Sequence, residues 1–142
     1  MSSFKKDLQR GLDVEKLILK ILQRYYPSAS LVEAYKGYDI WIPERKEGIE
    51  VKYDPMSNKT GNIVIEYEMS GRDSALLATE ASTWIFYDDH VIMSIKPQQI
   101  VKCIFDLKLT YKEFVGAGDR NSKKAFLVPK DELFKYGKEI KR

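Results

Sequence analysis

Between Gly37 and Glu68 the sequence reads GYDIWIPERKEGIEVKYDPMSNKTGNIVIEYE, which sets acids and a lysine at strand spacing. Side chains alternate across a strand, so Asp39 and Trp41 face away from Ile40 and Ile42. Glu50 and Lys52 share a face opposite Ile49, Val51 and Tyr53. Val64, Glu66 and Glu68 alternate with Ile63, Ile65 and Tyr67. If the chain folds back near Arg45, Asp39 meets Glu50, and three adjacent strands gather carboxylates around one lysine. Such a set can hold a divalent cation through hard oxygens and hydrolyse a phosphodiester.

That reaction needs a metal to neutralise the phosphate and acidify a water. It also needs a group to orient the water, and something to stabilise the departing oxygen. Asp39 and Glu50 supply oxygens for the metal. Magnesium keeps several waters, so two carboxylates and one carbonyl suffice, and the Val51 carbonyl lies between Glu50 and Lys52. Lys52 would hold or deprotonate the water and touch the phosphate. Neighbouring carboxylates favour its charged form, and burial opposes it. Glu15 and Glu66 are expected to complete the metal shell or hold its waters. The expected cofactor is Mg²⁺, with Mn²⁺ as a substitute.

These groups need elements to place them. Ser3 can cap a first helix to about residue 25, which Pro27 stops. The apolar positions Leu8, Leu12, Ile18, Leu19 and Leu22 set Glu15 on or beside the buried stripe. An acid there costs free energy unless compensated; the bland alternative is a carboxylate at the edge of the stripe, reaching solvent. A short segment, 30–35, leads into the strands. Turn residues lie at 43–48, a polar loop at 54–61, and the third strand at 62–69. A second helix is expected at 74–81, a central strand at 83–87 and another strand at 90–95. Pro97 suits the start of a helix to 107. A polar loop at 116–124, a strand at 125–128 and a basic terminal helix at 130–138 finish the chain. The order αβββαβ gives an α/β fold with a mixed central sheet flanked by helices. A single domain over 1–142 is expected, with its core at about 10–87 and additions at 88–142.

Composition narrows the chemistry further. With Cys103 as the only cysteine and His90 as the only histidine, cysteine-based zinc clusters and histidine-rich sites are excluded. A net charge of +3 suits a nucleic-acid partner better than a strongly acidic chain would. No apolar run reaches membrane length, and the N-terminus is charged and then amphipathic. A soluble, intracellular, cytoplasmic protein without a membrane partner is expected.

The residue pattern resembles the PD-(D/E)XK nuclease superfamily, which includes restriction endonucleases and archaeal and phage Holliday-junction resolvases. The matching residues are GYDI around Asp39 and IEVK ending at Lys52, preceded by Glu15 on the first helix. The resemblance covers roughly residues 10–87. More loosely, NIVIEYE, STWIFY and the late GDRNSK…FLVP are similar to small phage-type endonucleases of this superfamily. The resemblance implies a restriction-endonuclease-like core and a phage-type origin. It makes Asp39 and Glu50 metal ligands, Lys52 the catalytic lysine and Glu15 an accessory acid. Tyr38 stands where the name motif has proline, a position that varies in the superfamily. Glu66 has no single agreed role there.

A Glu-x-Lys pair alone is usually a solvated salt bridge worth little, and a lone Asp39 is usually a turn or edge residue. The joint occurrence carries the reading. DNA contact is expected from Lys36, Lys59, Arg72, Arg120, Lys123 and Lys124, each of which taken singly is a surface charge kept for solubility. Trp41 could stack on a base or simply pack; Trp84 and Cys103 belong in the core, and His90 on the surface. A homodimer would match a two-fold duplex or junction, using apolar residues such as Phe105, Leu107, Leu109, Phe114, Phe126, Leu133 and Phe134. Two classes stand at this point. One is a metal-dependent endonuclease, structure-selective or site-specific. The other is a non-catalytic nucleic-acid-binding protein on a nuclease-like fold.

Overall fold

The computed structural model describes residues 3–35, 37–115 and 122–142. In chain order its elements begin with α1 (Ser3–Gln23), β1 (Ser30–Leu31), β2 (Ile40–Ile42), β3 (Glu47–Tyr53) and α2 (Ser57–Thr60). Next come β4 (Asn62–Met69), β5 (Arg72–Asp73), a 3-10 turn (Ala75–Leu77), β6 (Thr83–Tyr87) and β7 (Ile92–Ile95). The chain closes with α3 (Pro97–Asp106), β8 (Lys112–Phe114), β9 (Lys123–Pro129), α4 (Lys130–Phe134) and β10 (Lys138–Glu139). The fold is mixed α/β. Six strands form a mixed sheet in the order β1-β2-β3-β6-β7-β10, and four form a second sheet, β5-β4-β9-β8.

In the six-stranded sheet β1, β2 and β3 make an antiparallel meander, and β6 lies parallel to β3. One face of this sheet packs against α1. Val14, Ile18, Ile21 and Leu22, spaced at helical turns, meet Ile40, Ile42, Ile49, Ile85 and Ile92. Each such side chain contributes about 2 kcal/mol by leaving water. The other face carries Trp84, Phe86, Met93 and Ile95. It meets Ile63, Ile65 and Val128 of the second sheet, and Ile100, Cys103 and Ile104 of α3. Because β6 is covered on both faces, its sequence TWIFY shows no polar alternation. Trp84 is 1% exposed and Cys103 fully buried, as their sequence setting implies, while His90 is exposed.

Several expectations are corrected. The strand at 62–69 forms, but it belongs to the second sheet, where it pairs with β9 rather than with β3. The third strand of the meander is instead the two-residue β1. The helix expected at 74–81 is only the 3-10 turn. The Thr79 hydroxyl accepts from the Ala81 N–H and the Trp84 indole, which draws the chain out of helical geometry. The terminal helix stops at Phe134 and gives way to β10, which pairs with β7. Residues beyond 87 thus complete the central sheet. Leu8 and Leu12 are 58% and 40% exposed, so the buried stripe of α1 begins at Val14. Of the apolar residues assigned to a dimer surface, Leu133 is fully buried in the core, whereas Phe105 is 76% exposed.

A buried polar knot fixes the loop that leaves β3. Lys130 Nζ lies 2.8 Å from Asp88 Oδ2 and 2.7 Å from Asn58 Oδ1, and Asn58 Nδ2 donates to the Asp88 carbonyl. Asp88 also accepts the N–H groups of His90 and Val91. Burial alone would raise the Asp88 carboxyl; the ammonium and these donors overcome it and hold the carboxyl below its ordinary value. Removing one member of a buried pair strands the other charge. Lys130→Met is therefore expected to destabilise the protein by about 3 kcal/mol in chemical denaturation. A depressed carboxylate stabilises the fold above its unfolded pKa. That share is lost on acidification through the folded pKa, so the wild-type advantage should vanish in strong acid.

Candidate functional site

Asp39 sits where the β2–β3 ladder opens. Ile40–Ile49 is the last pair of that ladder, and Asp39 lies one residue beyond it. The main chain holds Asp39 from both sides: its N–H donates to the Ile49 carbonyl at 2.8 Å, and its carbonyl accepts from Val32 at 2.9 Å. Its side chain takes over where the strand ladder stops, with Oδ2 accepting the Val51 N–H at 2.7 Å. The N–H and C=O of one strand residue leave by the same edge, so the Val51 carbonyl faces this opening too. The turn at Pro43–Lys46 that sets the register closes with Lys46 at φ 52°.

The carboxyls of this opening are crowded. Burial raises the Asp39 carboxyl above its ordinary value, against the Val51 N–H, Lys52 and Glu50, which lower it. Burial also raises Glu50, opposed by Lys52 and reinforced by Asp39. The two carboxyls lie close enough to bias each other, with Asp39 adding to the rise at Glu50. Glu15, reaching over from α1, is pushed up to about 7 by burial and by the charges of Asp39 and Glu50. Three acids thus share one field, and a cation is what that field lacks. Lys52 Nζ, 3.4 Å from Glu50 Oε2 and 5.1 Å from the centre of the Trp84 ring, answers it only in part.

The sheet opening has a groove on each side. A groove of about 380 Å³ runs between α1 and β3, lined by Arg10, Gly11, Glu15, Val51, Tyr53 and Pro55 among others. A cleft of about 220 Å³ lies between the two sheets, with Lys52 on one wall and Glu66 on the other. Glu66 is therefore not on the strand next to β3, as the sequence pattern suggests. It faces Lys52 across the cleft, and its carboxylate accepts the Ser74 hydroxyl at 2.6 Å. The structure brings Glu15, Asp39, Glu50 and Lys52 together and leaves Glu66 across the cleft from them.

The expected basic rim is scattered. Lys36 and Arg120 lie outside the described residues. Lys59 is exposed on α2, just after the catalytic-strand candidate β3. Arg72 and Lys123 both pair with Met69 at one end of the second sheet. Beside them Lys124 is committed to Glu68 at 3.1 Å and lies over Tyr111. Arg10 was not singled out from sequence, though it lines the same groove as Glu15. Stepping back one helical turn from Glu15 reaches Gly11, and Arg10 beside it, which is the signal that could have found it.

Among the described residues no three His, Cys, Asp or Glu side chains converge as a metal cage. A Mg²⁺ site need not be a cage, because the ion keeps several waters and takes few protein oxygens. The donor set here fits that requirement. Two half-buried carboxyls and a strand carbonyl share one opening, with negative charge that a dication would relieve.

The crowding has a metal-free consequence. Glu15 keeps its proton in the folded state above 4.5, where the unfolded chain releases it. Stability therefore falls as pH rises from about 4.5 towards about 7. Glu15→Gln should remove that fall. In chelator, its melting temperature should overtake the wild type between pH 5 and pH 8; parallel curves would contradict the geometry.

Comparisons with family models, curated proteins and solved structures return no match for this chain. No helix among the described residues is long and apolar enough to cross a membrane.

Proposed function

We propose that this chain is a Mg²⁺-dependent DNA endonuclease, hydrolysing phosphodiester bonds on a restriction-endonuclease-like core. The observation that carries the reading is the convergence of Asp39, Glu50 and Lys52 where β2 parts from β3, with Glu15 in the same field. The order of the central sheet supports it: a helix, an antiparallel meander, then a crossover to a strand parallel to the third. A structural ion pair would have no use for three neighbouring carboxyls that burial holds above their ordinary values.

Asp39, Glu50 and the Val51 carbonyl would hold the ion. Bound there, Mg²⁺ would supply charge neutralisation for the phosphate and a more acidic water. Lys52 contacts the phosphate and steadies the water for attack. Glu15 takes up a proton near neutral pH. Arg10, in the groove beside Glu15, offers a cation to the nucleic-acid backbone. A homodimer through the exposed apolar surface around Phe105 would give each strand of a duplex its own site.

The test is cleavage of a supercoiled plasmid and of a four-way junction in Mg²⁺ or Mn²⁺. Nicked, linear or resolved products in wild type, absent with chelator, are expected. DNA binding with no cutting in either metal would replace this reading with a binding protein on the same fold.

A further inference from the structure

Tyr35, Tyr38 and Trp41 form a contiguous aromatic cluster beside Asp39. Tyr38 stacks on Trp41 with ring centres 5.5 Å apart and planes 25° apart, and it meets Tyr35 edge-on at 4.9 Å. The cluster is built into the backbone. Trp41 pairs across the sheet with Gly48, and the Tyr38 ring fills the place that a Cβ at 48 would take. Through its partner Gly48, Trp41 shares a sheet face with Glu50 and Lys52. Two residues along a strand span about 7 Å, so the indole starts about one nucleotide step from the acid.

Tyr38 packs against the core, and the rings on either side of it stay open. Tyr35 is 44% exposed and Trp41 partly exposed, at the edge of the sheet where only the two-residue β1 lies beyond β2. The Tyr35 hydroxyl donates to Glu80 Oε2 at 2.7 Å, which anchors the ring without burying it. Aromatic rings held open to solvent next to a phosphodiester site present faces on which a base can stack. A base inside a duplex has both its faces covered by its neighbours, so only an unpaired or splayed base can use them.

Resting on the nuclease reading, we infer that the Tyr35–Tyr38–Trp41 cluster stacks an unpaired base flanking the cut, making branched or forked DNA the substrate of this site. The strand turning away at the branch point lays a base on the rings.

The test compares binding of a forked DNA and a linear duplex of equal length in chelator, with 2-aminopurine at the first unpaired position of the fork. Wild type should prefer the fork by about 5- to 150-fold, the worth of one stacked base, and quench the aminopurine. Trp41→Ala should lose the preference and the quenching while binding duplex as before; Trp41→Phe should keep both. Should Trp41→Ala fail to fold, Tyr35→Ala decides, since that exposed ring leaves the seat of Tyr38 intact. A fork preference that survives in the folded variants, or equal loss on fork and duplex, overturns the inference. Failure of the nuclease reading itself looks different: wild type then cuts neither DNA in Mg²⁺, whatever the rings do.

Discussion

Asp39→Asn should abolish cleavage, by about 10³-fold or more, and at the same time raise the melting temperature of the metal-free protein near pH 8. On the proposed function, the activity loss follows from removing one of two anionic ligands for a cation that would supply several kcal/mol to the transition state. Each 1.4 kcal/mol is tenfold in rate. The stability gain follows from the same crowding. Asp39 is a carboxyl raised by burial, so it holds its proton in the fold more tightly than in the unfolded chain. Its contribution to stability therefore falls as pH rises through its unfolded and then its folded pKa. An amide at 39 relieves that cost and can still accept the Val51 N–H through its oxygen. The gain should shrink as pH falls towards 4. Cleavage assays paired with melting curves across pH read both halves.

Lys52→Met should lower cleavage by about 10²–10⁴-fold, the range for losing a positioned proton-transfer group, and should move stability the other way. The ammonium lowers both Asp39 and Glu50, so without it the two carboxyls hold protons to higher pH and repel each other more once ionised. The variant should be less stable than wild type at pH 8 and similar at pH 4. Any residual activity should have its pH dependence shifted upward. Opposite signs in stability with the same sign in activity separate a working site from a solvated salt bridge, where both substitutions would be near neutral. Lys52→Arg tests the group itself: it keeps the charge and the stability but not the compact ammonium, and activity should stay low.

What could be seen in the sequence follows from how local each signal is. Period-two alternation gave Glu50 and Lys52 their common face, because it depends only on the strand itself. Their meeting with Asp39 needed one turn, at Pro43–Lys46; its ladder runs to Ile40–Ile49, and Asp39 bonds just beyond it to Ile49 and Val51. Glu15 could be placed beside the stripe of α1, though Leu8 and Leu12 belong to solvent rather than to the core. Glu66 shows the limit. Its strand was recognisable, but the sheet it joins is decided by pairing with β9, some sixty residues on, and nothing between 62 and 69 encodes that choice. The helix at 74–81 failed for a similar reason. Its alanines favour helix, while the Thr79 hydroxyl and the Trp84 indole prefer each other. The aromatic cluster on Gly48 needed both a register and a missing side chain to become visible.

The central claim is that a dication lodges between Asp39, Glu50 and the Val51 carbonyl. Crystals grown with Mn²⁺ and measured at its absorption edge locate the ion by anomalous scattering. A peak within about 2.0–2.3 Å of a carboxylate oxygen from each of Asp39 and Glu50 is the expected result. Manganese bound only elsewhere, with no ion between the two carboxyls, would contradict it.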